Sequence, residues 1–144
     1  MAIRFFSDGV SFELRNKRKT AQWLQTVIAR EGKRTGTLSY VFVSDAQILQ
    51  LNRQFLNHNY YTDIITFDEV ESDTISGEMY ISIDTVRTNA AIYQTAFDNE
   101  LFRVMAHGAL HLCGYNDKTE AEQALMREME DKSLQLLVGI LLSS

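Results

Sequence analysis

The sequence contains no proline, one cysteine and only three histidines among 144 residues. With Cys113 alone, no internal disulfide can form, and a reducing compartment is the natural setting. The lack of proline has no evident physical reason. Long apolar runs are missing too. Met1 to Asp8 lack the apolar core of a signal peptide, and Leu134 to Leu142 is interrupted and too short to span a bilayer. A cytoplasmic protein with no membrane partner is expected. No repeat, linker or low-complexity tract divides the chain, so residues 1–144 are expected to form one domain around one core.

Positive charge is also scarce. Lys and Arg number 14 against 19 Asp and Glu, a net charge of −5, which argues against a general nucleic-acid binder. The distribution is uneven. Residues 1–34 hold eight Lys/Arg and three Asp/Glu, and the remaining 110 hold six and sixteen. Arg15, Lys17, Arg18 and Lys19, with Arg30, Lys33 and Arg34 further on, form a patch able to follow a phosphate backbone. A solvated helix start and loop would look the same, so charge alone does not favour RNA.

What the chain does have is a concentration of metal-ligand chemistry. Two of the three histidines, His107 and His111, stand four apart in His-Gly-Ala-Leu-His-Leu-Cys-Gly-Tyr-Asn-Asp. On a helix that spacing stacks both imidazoles on one face. Gly114 allows the helix to stop and turn back. Asp117 then offers a carboxylate. Two His and one carboxylate, with a fourth position left to water, match a hydrolytic zinc site. By itself the His pair reads equally well as hydrogen-bonded core, because Leu101, Phe102, Val104, Met105, Leu110 and Leu112 make the same helix apolar. Clustering of the histidines and the carboxylate after the turn favour the metal. Cys113 reads as a small buried hydrophobe pointing elsewhere.

These residues resemble the YbeY family of metal-dependent endoribonucleases, the ribosomal RNA maturation factors. The likeness extends to Leu51-Asn52, to Thr62-Asp63-Ile64-Ile65-Thr66-Phe67 and to Gly77-Glu78-Met79-Tyr80-Ile81-Ser82, and so covers most of the chain. It implies one zinc ion per chain held by His107, His111 and Asp117, and cleavage of single-stranded RNA. It also implies action on ribosomal RNA and the small ribosomal subunit, in late processing and quality control. Two positions depart from the family pattern. The third ligand is usually His where Asp117 stands, giving a site one unit more negative, which raises the pKa of bound water and relaxes the metal choice toward Mn²⁺ or Mg²⁺. The Arg that usually follows the aromatic residue matched by Phe55 is replaced by Leu56.

Periodicity places strands at Ile3–Ser7, Phe12–Leu14, Thr37–Val43, Asp63–Phe67 and Ile75–Ile83, with Gly77 at a bulge or close approach. Helices are expected over Lys17–Arg30, Asp45–Phe55 behind a Ser44 cap, from an Asp84 cap, and from an Asp98 cap through the histidines. Ile48, Leu49 and Leu51 form the buried face of the second. The last helix opens with a capping box at Thr119-Glu120-Ala121-Glu122 and buries Leu125, Met126, Met129 and Leu136. His58 reads as a surface loop residue. The order suggests an α+β domain, a roughly four-stranded mixed sheet with helices packed against it and a zincin-like metal helix.

Catalysis is expected to run through metal-activated water held by His107, His111 and Asp117, with the general base unassigned between Asp63 and Glu78. Gly108 stands where a thermolysin-type peptidase carries its Glu, which counts against proteolysis. Two other readings stay open on sequence: a non-catalytic assembly factor braced by its metal, and a metal-dependent hydrolase of another substrate.

Overall fold

The computed structural model describes residues 2–57 and 62–142. His58 lies outside them. In chain order the elements are β1 (Ala2–Ser7), α1 (Lys17–Arg30), β2 (Arg34–Val43), α2 (Asp45–Phe55), β3 (Ile64–Asp68), β4 (Thr74–Ser82), α3 (Ile83–Ile92), α4 (Phe97–Leu112) and α5 (Glu120–Leu142). The sheet runs β1-β2-β4-β3. β1, β2 and β4 are parallel, and β3 returns antiparallel to β4. This is the expected four-stranded mixed sheet.

Alternation along the strands divides the interior in two. Leu38, Tyr40 and Phe42 of β2 with Ile75, Met79 and Ile81 of β4 face the main core, which α1, α3, α4 and α5 close. On the opposite face Val43 and Ile65 meet Ile48 of α2 in a smaller cluster. Each large apolar side chain fully removed from water contributes about 1.5–3 kcal/mol. Two buried hydrogen bonds fix how the helices sit. The Tyr40 hydroxyl donates to the Met105 carbonyl at 2.8 Å, and the Trp23 indole N–H donates to the Ser133 carbonyl at 2.6 Å. The first holds α4 on the sheet and the second holds α5 on α1.

Local chemistry explains most boundaries. Ser44 and Gln47 form a capping box at the start of α2, and Thr119 and Glu122 form the expected one before α5. Four expectations need correction. Phe12–Leu14 is no strand: Phe12 instead packs edge-on against Phe42 and Phe97, and Leu14 is buried, so this segment reaches the core without a ladder. Ser82, not Asp84, caps α3, and the Asp84 carboxylate accepts from the Asp45 N–H across the α2–α3 junction. α4 begins at Phe97 behind Ala96, which offers no side-chain cap, leaving Asp98 in its first turn, where its negative charge complements the positive end of the helix dipole. Leu125 is exposed, because α5 turns its Met126, Glu130, Ser133 and Leu137 stripe inward. The bulge lies on β2 between Thr35 and Leu38. Gly77 is the close approach: a Cβ there would lie 2.6 Å from the Phe67 carbonyl oxygen. Among the described residues no helix is long and apolar enough to cross a membrane.

Candidate metal and RNA-cleavage site

The site begins with how closely α4 lies on the sheet. A Cβ at Gly108 would come within 2.7 Å of the Met79 Sδ and 2.9 Å of the Ile64 Cδ1. Only the missing side chain permits this contact. A Glu at position 108, as a thermolysin-type peptidase requires, would have to displace the ends of the Met79 and Ile64 side chains. With Gly108 against the sheet, its neighbours His107 and His111 fall at the edge of the packed face. Both line a cleft of about 300 Å³ together with Asn52, Leu56, Asp63 and Asp117.

The turn after α4 brings the carboxylate back. Gly114 adopts φ 115°, a left-handed value that a side chain would resist. Its N–H donates to the His111 carbonyl and the Tyr115 N–H to the Leu110 carbonyl, the paired bonds of a Schellman ending. The reversed chain places the Asp117 Oδ2 at 3.3 Å from the His107 Nε2. The expected fold-back of Asp117 onto the first histidine is therefore present. His111 lines the same cleft. Among the described residues, however, no three His, Cys, Asp or Glu side chains are grouped closely enough to hold one ion as they stand.

Sequence reasoning missed the residue that orients His107. The Glu130 carboxylate lies 2.7 Å from the His107 Nδ1. Glu130 is buried, and its other oxygen accepts from Arg103 at 3.0 Å, while Arg103 also donates to Asp131 at 2.6 Å. A charged Glu accepts only, so Nδ1 carries the proton and Nε2 faces the cleft. Burial disfavours charge on the imidazole, but the Glu130 hydrogen bond and the charges of Glu130, Asp117 and Asp63 outweigh it, and the His107 pKa is raised. The available signal was position. Glu130 falls four after Met126 and seven before Leu137, on the buried stripe of α5.

The two candidate bases separate cleanly. Asp63, just before β3, lines the cleft, and its carboxyl pKa is raised by burial, partly offset by His107. Glu78 is exposed and lies between Gly77 and Met79, both buried, so its side chain leaves the sheet on the face away from α4. Cys113 is half-buried, and burial followed by the charge of Glu31 pushes its thiol up to about 11. It is a packing residue, as expected. In the basic patch, Lys17 pairs with Glu13 and Lys33 with Asp73, both on the surface. Such pairs contribute little to stability.

An α+β chain with this sheet order is similar to a solved structure. The solution structure of TM1509 from Thermotoga maritima matches with a TM-score of 0.68 at 28% identity, covering 95% of this chain and 89% of that one. The family described as Endoribonuclease YbeY matches residues 6–138. A protein of that description from Bacteroides thetaiotaomicron is 50% identical over 134 residues, 93% of this chain and 98% of the relative. Another from Parabacteroides distasonis is 47% identical over 137 residues, 95% and 96% of the two chains. The chain belongs to the Endoribonuclease YbeY family.

Proposed function

We propose that this protein is an endoribonuclease that cuts single-stranded RNA with one divalent cation, zinc first, held by His107, His111 and Asp117. The observation that carries the reading is the environment of His107. Its Nδ1 is committed to Glu130, and its Nε2 faces a second carboxylate. A neutral imidazole would set a lone pair against Asp117, so this position calls for a positive charge, either a proton or a metal ion. Two donors on a tetrahedral zinc, each about 2.0–2.1 Å from the ion, lie about 3.3–3.4 Å apart. The His107–Asp117 separation of 3.3 Å fits that edge. His111 is exposed, which leaves room for its ring to turn toward the pair.

A cation so held would polarise a phosphoryl oxygen and make water a stronger acid. The rest falls to the protein's own side chains. Glu130 fixes the tautomer and direction of His107. Asp117 brings a negative charge from the turn. Asp63, with its pKa raised inside the cleft, is placed to take a proton from the attacking hydroxyl. Leu56 lines the cleft without charge, so the phosphate receives no guanidinium from that position. A role in maturing small-subunit ribosomal RNA is proposed on the strength of family membership.

Metal analysis paired with RNA cleavage tests this reading. Purified wild type should contain about one equivalent of metal and cut a short single-stranded RNA. His107→Ala and His111→Ala should lose both properties. Full activity in chelator, from protein free of metal, would end the metal reading. Cells depleted of the protein should accumulate precursor small-subunit RNA.

A further inference from the structure

A second cavity, of about 170 Å³, adjoins the cleft and shares Asp63 and His107 with it. Asn89 and Tyr93 of the α3 end, Glu100 of α4 and Arg127 of α5 also line it. Nothing in the hydrolytic chemistry uses Glu100. It is only 7% exposed, and among the described residues its carboxyl takes part in no hydrogen bond or ion pair. Burial, then the charge of Asp63, raises its pKa. A carboxylate accepts hydrogen bonds and cannot donate them. No buried side-chain oxygen among the described residues is left without a partner, so water in the cavity reaches the Glu100 carboxyl, and a donor that enters there takes the place of that water.

The composition of the walls selects that donor. Asp63, Glu100 and Glu130 outnumber Arg103 and Arg127 on the walls, and Arg103 is already bonded to Glu130 and Asp131, so the cavity disfavours phosphate; its volume suits part of a nucleoside rather than a large ligand. Tyr93, 62% exposed, lines the cavity. Aromatic faces of this kind stack on bases of single strands regardless of sequence. Within an RNA strand the donor nearest the backbone is the ribose 2′-hydroxyl, the group that distinguishes RNA from DNA. Because the cavity shares His107 with the cleft, its occupant adjoins whatever phosphate reacts there.

We propose that this cavity binds the nucleoside next to the scissile phosphate, with Glu100 accepting from its 2′-hydroxyl and Tyr93 stacking on its base. Glu100 then sets the preference for ribose over deoxyribose at that position. The assignment rests on the endoribonuclease reading above.

The test uses the full chain with matched metal content, a short single-stranded RNA of mapped cut site, and copies carrying one 2′-deoxynucleotide at each position in turn. In wild type, one position beside the cut nucleotide should show a fall in kcat/KM on the order of tenfold on losing its hydroxyl. Glu100→Ala should cut the all-RNA strand about as slowly as wild type cuts that deoxy copy, and should no longer distinguish the two. Glu100→Gln, which keeps an acceptor oxygen, should retain much of the discrimination. Tyr93→Ala should raise KM for both strands alike with kcat unchanged. The proposal is overturned if wild type shows no deoxy penalty outside the cut nucleotide, or if folded, metal-loaded Glu100→Ala keeps the full penalty. Should Glu100→Ala fail to fold, the wild-type scan and Tyr93→Ala decide the matter. If wild type leaves RNA uncut altogether, the endoribonuclease reading fails first and the subsite goes with it.

Discussion

His107 has two carboxylate neighbours, and they differ in almost every respect. Glu130 approaches from the interior. Its side chain is 9% exposed, it bonds Nδ1 at 2.7 Å, and Arg103 holds it from behind. Asp117 approaches from solvent on a turn, 49% exposed, at 3.3 Å from Nε2. The inner group is built to stay where it is, and the outer group can adjust. A fixed carboxylate and an adjustable one are thus set on opposite sides of one ring. Stability should depend on the inner side, and ligand binding on both.

The sharpest way to break that contrast is Glu130→Ala. It leaves the Nδ1 proton and part of Arg103 unpaired in a buried setting, which should cost about 3 kcal/mol in urea unfolding of metal-free protein. Metal affinity, followed by competition with a chelating dye, should fall about 10–100-fold. Next in size comes Gly108→Ala, which probes the helix–sheet contact that carries the ring. A methyl pressed on Met79 and Ile64 should cost about 1–3 kcal/mol, reduced by the gain in helix propensity of about 1 kcal/mol. An unchanged urea midpoint would show that the contact gives way easily.

Glu100→Gln sharpens the comparison through pH. Burial first, then Asp63, holds the Glu100 carboxyl above its ordinary range, so folding favours the protonated form. Its stabilising contribution is complete below the unfolded pKa and is lost as pH rises through the folded one. Glu100→Gln should therefore melt higher than wild type at pH 8, with the difference vanishing toward pH 4. Equal melting temperatures at both pH values would mean that the carboxyl is well solvated. The smallest effect on folding is expected on the outer side. His111→Ala and Asp117→Ala should each change metal-free stability by no more than about 0.5 kcal/mol, yet abolish stoichiometric metal. A large loss of stability in either would erase the distinction between the two sides.

Much of this arrangement was legible in the sequence because it is written at short range. The bounds of α1, the Ser44 cap, the Thr119 capping box, the four strands of the sheet and the Gly114 reversal all follow from neighbouring residues. The pairing of His107 with Asp117 spans ten positions across one turn, and could be foreseen for the same reason. What escaped notice depends on distant packing. Glu130 lies 23 positions from the ring it orients, and among acidic residues of a surface-rich helix only its place on the apolar stripe sets it apart. Glu100 is likewise an ordinary first-turn acid until α3 and α5 close over it. Asp84 and Asp98 were sound cap candidates by residue type, but sheet and junction geometry started each helix earlier. Leu56 is visible from sequence as a neutral residue, and the structure adds that it stands in the cleft wall.

The Trp23–Ser133 bond also has a consequence for timing. Both imidazoles and the turn carboxylate are synthesised before α5, yet Nδ1 gains its acceptor only when that last helix docks across α1. Until then the ring is unsteered, and a cation bound as proposed above would be held only by a loose chelate open to exchange. If the proposed cation is bound, docking of the final helix would act as a latch on it, and its secure retention would report completed folding.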